Sequence, residues 1–326
     1  MPEIRQNIAT KDWVIIATER AKRPEDFVKK VEKKVIPEFV QSCPFCPGNE
    51  SKTPPETLRI GKDDKWQVRV IPNKFGALSN EGESTYSFEG LERCTSGVGV
   101  HEVIIETPLH HLTTAILPVP EVESIIQAYL GRYQSVSHDS RIEHIIIFKN
   151  HGESAGTSLE HPHSQMVGLP IVPSHVRHRV EEAMRYFDDH GECVFCTMLK
   201  EEIASKERIV FESNEFVAFL PYAAFSPFHI WVLPKRHAAS FVEISPAEIS
   251  DLAYNLRTVL AKIYHGLDNP DYNYVLNSAP LDTGSKYLHW YISIVPRVSK
   301  AAGFELGSGM FINAALPEKS AEFLRT

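Results

Sequence analysis

In the segment TSLEHPHSQMVGLP, His161, His163 and Gln165 stand at every second position. Alternate side chains of a strand share a face, so two imidazoles and a carboxamide would project together. A neutral imidazole serves as a nucleophile or a metal ligand, so the three side chains mark a site or the edge of one. Four of the five cysteines form two Cys-x-x-Cys pairs: Cys43 with Cys46 in CPFCPG, and Cys193 with Cys196 in CVFCTM. Thiols of a cytoplasmic chain stay reduced, which argues against disulfides. Neither pair reads as the strand-to-helix setting of a thioredoxin-like redox centre, which leaves metal as their use.

The two pairs head an internal repeat. Each is followed by two histidines, His110 and His161 in the first half and His237 and His289 in the second, and the His110-to-His161 interval nearly equals that from His237 to His289. The interval from Cys43 to His110 is longer than its counterpart from Cys193 to His237. That excess fits an insertion in the first half, at the polar stretch SNEGESTYSFEGLERCTSGVG. A lone histidine beside an apolar segment is ordinarily structural, and the chain has 15 of them. The same order of ligands twice, with the last interval preserved, outweighs that. The expectation is two tetrahedral zinc sites, Cys43, Cys46, His110 and His161 in one and Cys193, Cys196, His237 and His289 in the other, with His111 as the rival to His110. Four protein ligands leave no open position, so both ions would be structural. In the second half Tyr291 and Ser293 stand where the first has His163 and Gln165, so the alternating motif is intact only once.

Elements to position these groups can be read around them. Val122, Ile125, Ile126, Tyr129, Leu130 and Tyr133 form a helical stripe, followed by the β-branched run IEHIIIFKN. In the second half a helix opens with a Ser245 to Glu248 capping box and Pro246, stops at Gly266, and is followed by YNYVLNSAP. Its stripe is Ile249, Leu252, Leu256, Val259, Leu260 and Ile263. Each half reads strand, strand with the zinc histidine, helix, strand, and strand with the alternating motif. The segment PSHVRHRVEEAMRYFDDHG reads as a linking helix with Val176, Val180, Ala183 and Phe187 inward. The fold class is therefore α+β, a tandem duplication over residues 1–173 and 174–326.

A chain of 326 residues that is 43% hydrophobic can bury one large core or two smaller ones. Its net charge of -8, with charges dispersed, excludes nucleic acid as the main partner, so an anionic substrate needs a locally basic pocket. No apolar run approaches the roughly 18 to 20 residues of a membrane span. The expected setting is the cytoplasm, with no membrane partner.

The order Cys-x-x-Cys, His, NHGESAGTSLEHPHSQ and then a degenerate second copy resembles the galactose-1-phosphate uridylyltransferases of the histidine-triad superfamily, over nearly the whole chain. The resemblance implies two histidine-triad-like halves sharing an antiparallel sheet with packed helices. It makes His163 the nucleophile and His161 a zinc ligand with Cys43, Cys46 and His110. Asn150, Gly156, Ser158 and Gln165 match positions that hold substrate phosphates. Arg20, Arg23 and Asn73 match nucleotide contacts, and Glu305 matches the residue that reads sugar hydroxyls, in some members from the neighbouring subunit of a homodimer. The implied chemistry is ping-pong nucleotidyl transfer between a nucleoside diphosphate hexose and a phosphate-bearing acceptor, through a nucleotidyl-histidine. Lys74 departs from the uridylyltransferases, which carry an acidic residue there, and Asn313, Ser164 and the tail look more like the ADP-glucose phosphorylase branch. UDP-glucose with galactose 1-phosphate is the first expectation, ADP-glucose with inorganic phosphate the second, and a hydrolytic or dinucleoside polyphosphate phosphorylase activity a third. The contrasting class is a zinc-stabilised nucleotide-binding module without turnover.

Overall fold

Runs such as WVII, HIIIFKNH and FVAF are rich in β-branched and aromatic residues that fit a pleated, half-buried surface. The computed structural model describes residues 1–17, 23–28, 35–62, 65–281, 283 and 286–326. The first half contributes β1 (Glu3–Gln6), β2 (Trp13–Ile16), β3 (Leu58–Lys62), β4 (Lys65–Pro72), β5 (Tyr86–Glu89), β6 (Glu92–Thr95) and β7 (Val100–Ile105). These are followed by α1 (Val119–Ser137), β8 (His144–His151) and β9 (His163–Leu169). The second half runs α2 (Ser174–His190), α3 (Val194–Ser205), β10 (Ile209–Glu212), β11 (Phe216–Phe219), β12 (Ile230–Pro234), α4 (Pro246–Gly266), β13 (Tyr272–Asn277) and β14 (Tyr291–Pro296). The chain closes with α5 (Gly303–Ser308), β15 (Phe311–Asn313) and α6 (Pro317–Arg325).

Ten strands form one sheet in the order β10-β11-β12-β14-β13-β8-β9-β7-β4-β3, every neighbouring pair antiparallel. The order is symmetric about the β8–β13 pair, where Ile147 faces Leu276 and Asn150 faces Asn273. The duplication is thus visible as two five-strand halves in one continuous sheet. Each half is three strands, a helix and two strands, one strand more than the sequence suggested. A small sheet of β1, β2 and β15 ties the beginning of the chain to its end.

Helices α1 and α4 pack on each other and on one face of the sheet. The α4 start is the expected capping box, with Glu248 N–H donating to Ser245 Oγ at 3.2 Å. The expected stripes of both helices are buried except Leu130, which is half-buried, and they join strand residues of both halves in one core. On the other face, Cys43, Phe45, Cys46, Trp66, Ile71, Val103 and Ile105 cluster under the first half, and Cys193, Phe195, Leu199, Val217, Trp231 and Tyr291 under the second.

Three local expectations are corrected. His110 lies in a turn after β7 and His237 in the loop after β12 rather than on strands, and β9 begins at His163, leaving His161 in the bend before it. Pro162 has no N–H for a ladder, although its carbonyl still accepts from Glu106 N at 3.2 Å. The second Cys-x-x-Cys pair opens helix α3, with Cys193 as its N-cap, where the sequence suggested no helix. The stretch 79–99 holds the β5–β6 hairpin as a two-stranded sheet, and the linking helix α2 buries Val176 and Ala183.

Candidate active site

The β9 register, with Ile105 opposite His163 and Val103 opposite Gln165, sends His163 and Gln165 to the face away from α1, while Ser164 turns toward Tyr129 of that helix. His163 is 7% exposed and stands edge-on to Phe45, whose ring also packs on His161. Nδ1 of His163 lies 2.8 Å from the His161 carbonyl. A carbonyl only accepts, so Nδ1 carries the proton and Nε2 keeps its lone pair. Burial pushes the His163 pKa down, and the Lys149 charge adds to it against the His161 carbonyl and Glu106.

His163 lines a cleft of about 360 Å³ together with Asn150, Gly152, Ser158, Asn269 and Asp271. The loop from 152 to 157 is anchored by the second half, because Asp271 Oδ2 accepts from Ser154 N at 2.7 Å and Ser154 Oγ at 2.5 Å. Gly152 has φ +86°, and a Cβ there would stand 1.8 Å from Asp271 Oδ1, so only glycine fits. Gly156 also takes a left-handed φ, at +90°. Asn150 Oδ1 accepts from Asn273 Nδ2 at 2.8 Å. Beneath the strand, Glu106 and Lys149 form a fully buried ion pair, supported by Thr114 Oγ1 and Tyr129 OH donating to Glu106 at 3.0 and 3.3 Å. Burial works to raise the Glu106 carboxyl, but Lys149 and Thr114 together hold it below its ordinary value.

Of the expected nucleotide contacts, Asn73 reaches Gln165, its Nδ2 donating to Oε1 at 3.4 Å. Arg23 is exposed ahead of a short 3-10 turn, its N–H donating to Asp26 Oδ2, and is not among the residues lining the cleft. Arg20 lies outside the described residues. Glu305 caps the short helix α5 and lines a separate small cleft with Phe225, Arg297 and Lys300.

Cys43, Cys46, His110 and His161, all buried, place one ligand atom each within 4.8 Å of all the others. The observed His110 Nδ1 to His161 Nδ1 distance is 3.2 Å, and thiol sulfur to imidazole nitrogen distances are 3.5, 3.7 and 3.8 Å. A tetrahedral zinc with its usual bond lengths sets donors about 3.4 Å apart for two nitrogens and about 3.6 Å for nitrogen and sulfur. Those four separations match a tetrahedral zinc site. His161 Nε2 donates to the Thr107 carbonyl at 2.8 Å, which turns its Nδ1 lone pair to the cluster. It is His110, not His111, that the fold brings in.

In the second half Cys193, Cys196 and His237 are brought together, with Cys196 Sγ 3.2 Å from His237 Nδ1. The Cys196 hydrogen bond pulls the Cys193 thiol down to about 6, and the Cys196 thiol goes up in return. His289 stands beside this trio rather than in it, its ring centroid 5.6 Å from that of His237. Its Nδ1 donates to the Trp290 carbonyl at 3.0 Å, and among the described residues its buried Nε2 makes no hydrogen bond of good geometry. The site equivalent to His163 is filled: Arg179 of α2 donates to Asn277 Oδ1 and to the OH of Tyr291 at 2.9 and 3.0 Å.

The sequence reading passed over Thr107, Asp271, the Glu106–Lys149 pair and His101. His101 had a signal: it precedes His229 by the same offset that separates His161 from His289, His163 from Tyr291 and Gln165 from Ser293.

Residues 1–173 match the family described as galactose-1-phosphate uridyl transferase, N-terminal domain, and residues 165–306 match its C-terminal domain. The chain is 38% identical over 330 residues to an ADP-glucose phosphorylase from Arabidopsis thaliana, covering 99% of this chain and 92% of that one. A galactose-1-phosphate uridylyltransferase from Thermotoga maritima is 26% identical over 336 residues, covering 100% and 98%. Among solved structures, an ADP-glucose phosphorylase from Arabidopsis thaliana with bound ADP-glucose superposes with a TM-score of 0.86 at 36% identity, covering 100% of this chain and 98% of that one.

Proposed function

Because this chain belongs to the galactose-1-phosphate uridylyltransferase family, we propose that its nucleotidyl transfer runs through His163, with ADP-glucose as donor and inorganic phosphate as acceptor. The observation that carries the reading is the His163 imidazole itself, buried in the cleft with Nδ1–H committed to the His161 carbonyl and Nε2 left as the nucleophile. Nε2 attacks the α-phosphorus, an N–P bond forms, and the bond to the bridging oxygen breaks, its electron pair leaving on glucose 1-phosphate. The lone pair is already free, so no base is needed. The imidazolium that results keeps its Nδ1–H on the His161 carbonyl, which spreads the positive charge. A phosphate oxygen then attacks the same phosphorus, the P–N bond breaks, and ADP leaves with the imidazole restored.

Gln165 offers a neutral donor to the phosphoryl oxygens, and Asn150, Ser158 and the glycine-containing loop support the phosphates. Zinc, where bound, supplies structural bonding that fixes the bend carrying His161 two residues from the nucleophile. Two ions per chain are expected, the second completed by a rotation of His289. Arg23 and Arg20 keep their proposed place at the nucleotide, and Glu305, which lines another cleft, reads the hexose from the neighbouring subunit of a homodimer.

For the donor, 38% identity to an ADP-glucose phosphorylase against 26% to a uridylyltransferase favours adenylyl transfer. Lys74 points the same way, because it offers a cation where the uridylyltransferases carry a carboxylate. Uridylyl exchange between UDP-glucose and galactose 1-phosphate remains the second reading, favoured by full-length likeness to uridylyltransferases. Rates with ADP-glucose plus phosphate and with UDP-glucose plus galactose 1-phosphate, each read with intact-mass detection of the adduct, decide between them. Turnover confined to the uridine pair would overturn the adenylyl reading and leave the histidine mechanism standing.

A further inference from the structure

Gln165 has a side chain that works in one orientation only. Its NH2 can donate to a phosphoryl oxygen, whereas its carbonyl would repel one, and turning the amide over exchanges the two. Something must hold the amide. The loop after β4 supplies the first constraint: Ala77 N–H donates to His101 Nδ1 at 3.0 Å, so Nδ1 is the bare nitrogen of a neutral ring and Nε2 carries the proton. That Nε2 lies 2.8 Å from Gln165 Oε1. Asn73 is oriented in the same manner, its Oδ1 accepting from Phe75 N at 2.9 Å, which leaves its Nδ2 to donate to Gln165 Oε1. Asn73 Nδ2 and His101 Nε2, 3.1 Å apart, thus aim at one acceptor. A flipped Gln165 would set its NH2 against two donors. In the observed orientation its Nε2 has no protein partner among the described residues.

We propose that His101 is a positioning residue for nucleotidyl transfer, holding the Gln165 carboxamide with its NH2 toward the phosphoryl group. This rests on the nucleotidyl-histidine reading above. The second half supports the separation of roles: His229 takes the matching place in the repeat, yet its Nε2 accepts from Trp231 Nε1 at 2.9 Å and it faces Ser293, which has no amide to orient.

The test is a double-mutant cycle on the zinc-loaded protein, with ADP-glucose as the probe in single-turnover adduct formation and in equilibrium binding. His101→Phe in the wild-type background should slow adduct formation on the order of 10²-fold, the lower end of what loss of one transition-state donor costs, with the dissociation constant of ADP-glucose changed less than about 3-fold. In the Gln165→Ala background the same change should have less than about 3-fold effect, because no amide is left to orient. His101→Gln, which can accept at one end and donate at the other, should recover at least about a tenth of the wild-type rate, and it serves the cycle if the phenylalanine protein does not fold. Equal losses in both backgrounds would overturn the assignment of His101 alone. Absence of any adduct on wild-type protein, with ADP-glucose and with UDP-glucose, would overturn both it and the histidine mechanism.

Discussion

The nucleophilic role proposed for His163 rests on a single hydrogen bond, supplied by the bend that precedes its strand. The His161 carbonyl fixes the tautomer, so the lone pair faces the cleft at all times rather than half of the time. His163→Ala should therefore abolish the covalent adduct and lower kcat on the order of 10⁴-fold or more, while thermal stability and metal content stay near wild type. An adduct of undiminished yield on that protein, seen by intact mass, would place the nucleophile elsewhere. The equivalent Tyr291 position of the second half has no such capacity, since its hydroxyl is engaged by Arg179.

At the scale of elements, the side of the cleft proposed to hold the phosphates depends on a contact between the two halves. The loop from 152 to 157 leaves β8 with Gly152 at φ +86° and ψ 161°, a backbone region open in practice only to glycine, and Asp271 occupies the space where a Cβ would go. Gly152→Ala should cost about 1–3 kcal/mol in stability and displace the Asp271 carboxylate from Ser154. The binding cost follows: the dissociation constant of the sugar nucleotide should rise roughly 10-fold, equivalent to about 1.4 kcal/mol. Calorimetric titration on the alanine protein is the check, and wild-type affinity there would mean the Asp271 anchor does not shape the site.

For the whole molecule, two Cys/His clusters lie on the face of the sheet that α1 and α4 leave uncovered, and the proposed zinc ions would staple it. Elemental analysis should find two zinc ions per chain, and Cys43→Ser should remove one of them and lower the unfolding midpoint. One ion in wild-type protein would strike out the second cluster, where the fourth ligand must turn to reach the metal. Acid sensitivity has a separate source. Burial holds the His229 pKa at about 3, against an ordinary value of 6.5. The unfolded chain therefore binds a proton between about pH 6.5 and 3 that the folded chain does not, so this histidine leaves stability intact above pH 6.5 and erodes it as pH falls. The slope is about 1.4 kcal/mol per pH unit while the difference is one proton. His229→Gln should show a stability profile flatter by that slope between pH 6 and 5 in denaturant titrations, and parallel profiles would refute the neutral buried imidazole.

Residue types and spacings were enough to read the duplication, one intact and one degenerate motif, two four-residue Cys/His sets of which the fold gathers four and three members, and the helical stripes that became the core. These are determined by the sequence because they are local or repeated: a helix stripe needs only a 3.6-residue period, and a ligand set met twice at matching intervals is visible without a fold. Tertiary structure decided what depends on chain segments meeting. Pairing of β8 with β13 merged the halves into one sheet, and it placed Asp271 against Gly152 and Asn273 against Asn150 across that seam. The choice of His110 over its neighbour, the turn that holds His161 outside its strand, and the distance of His289 from its trio follow from backbone paths that spacing does not encode. So does His101, whose proton sits on Nε2 only because Ala77, from a loop between two other strands, donates to its other nitrogen.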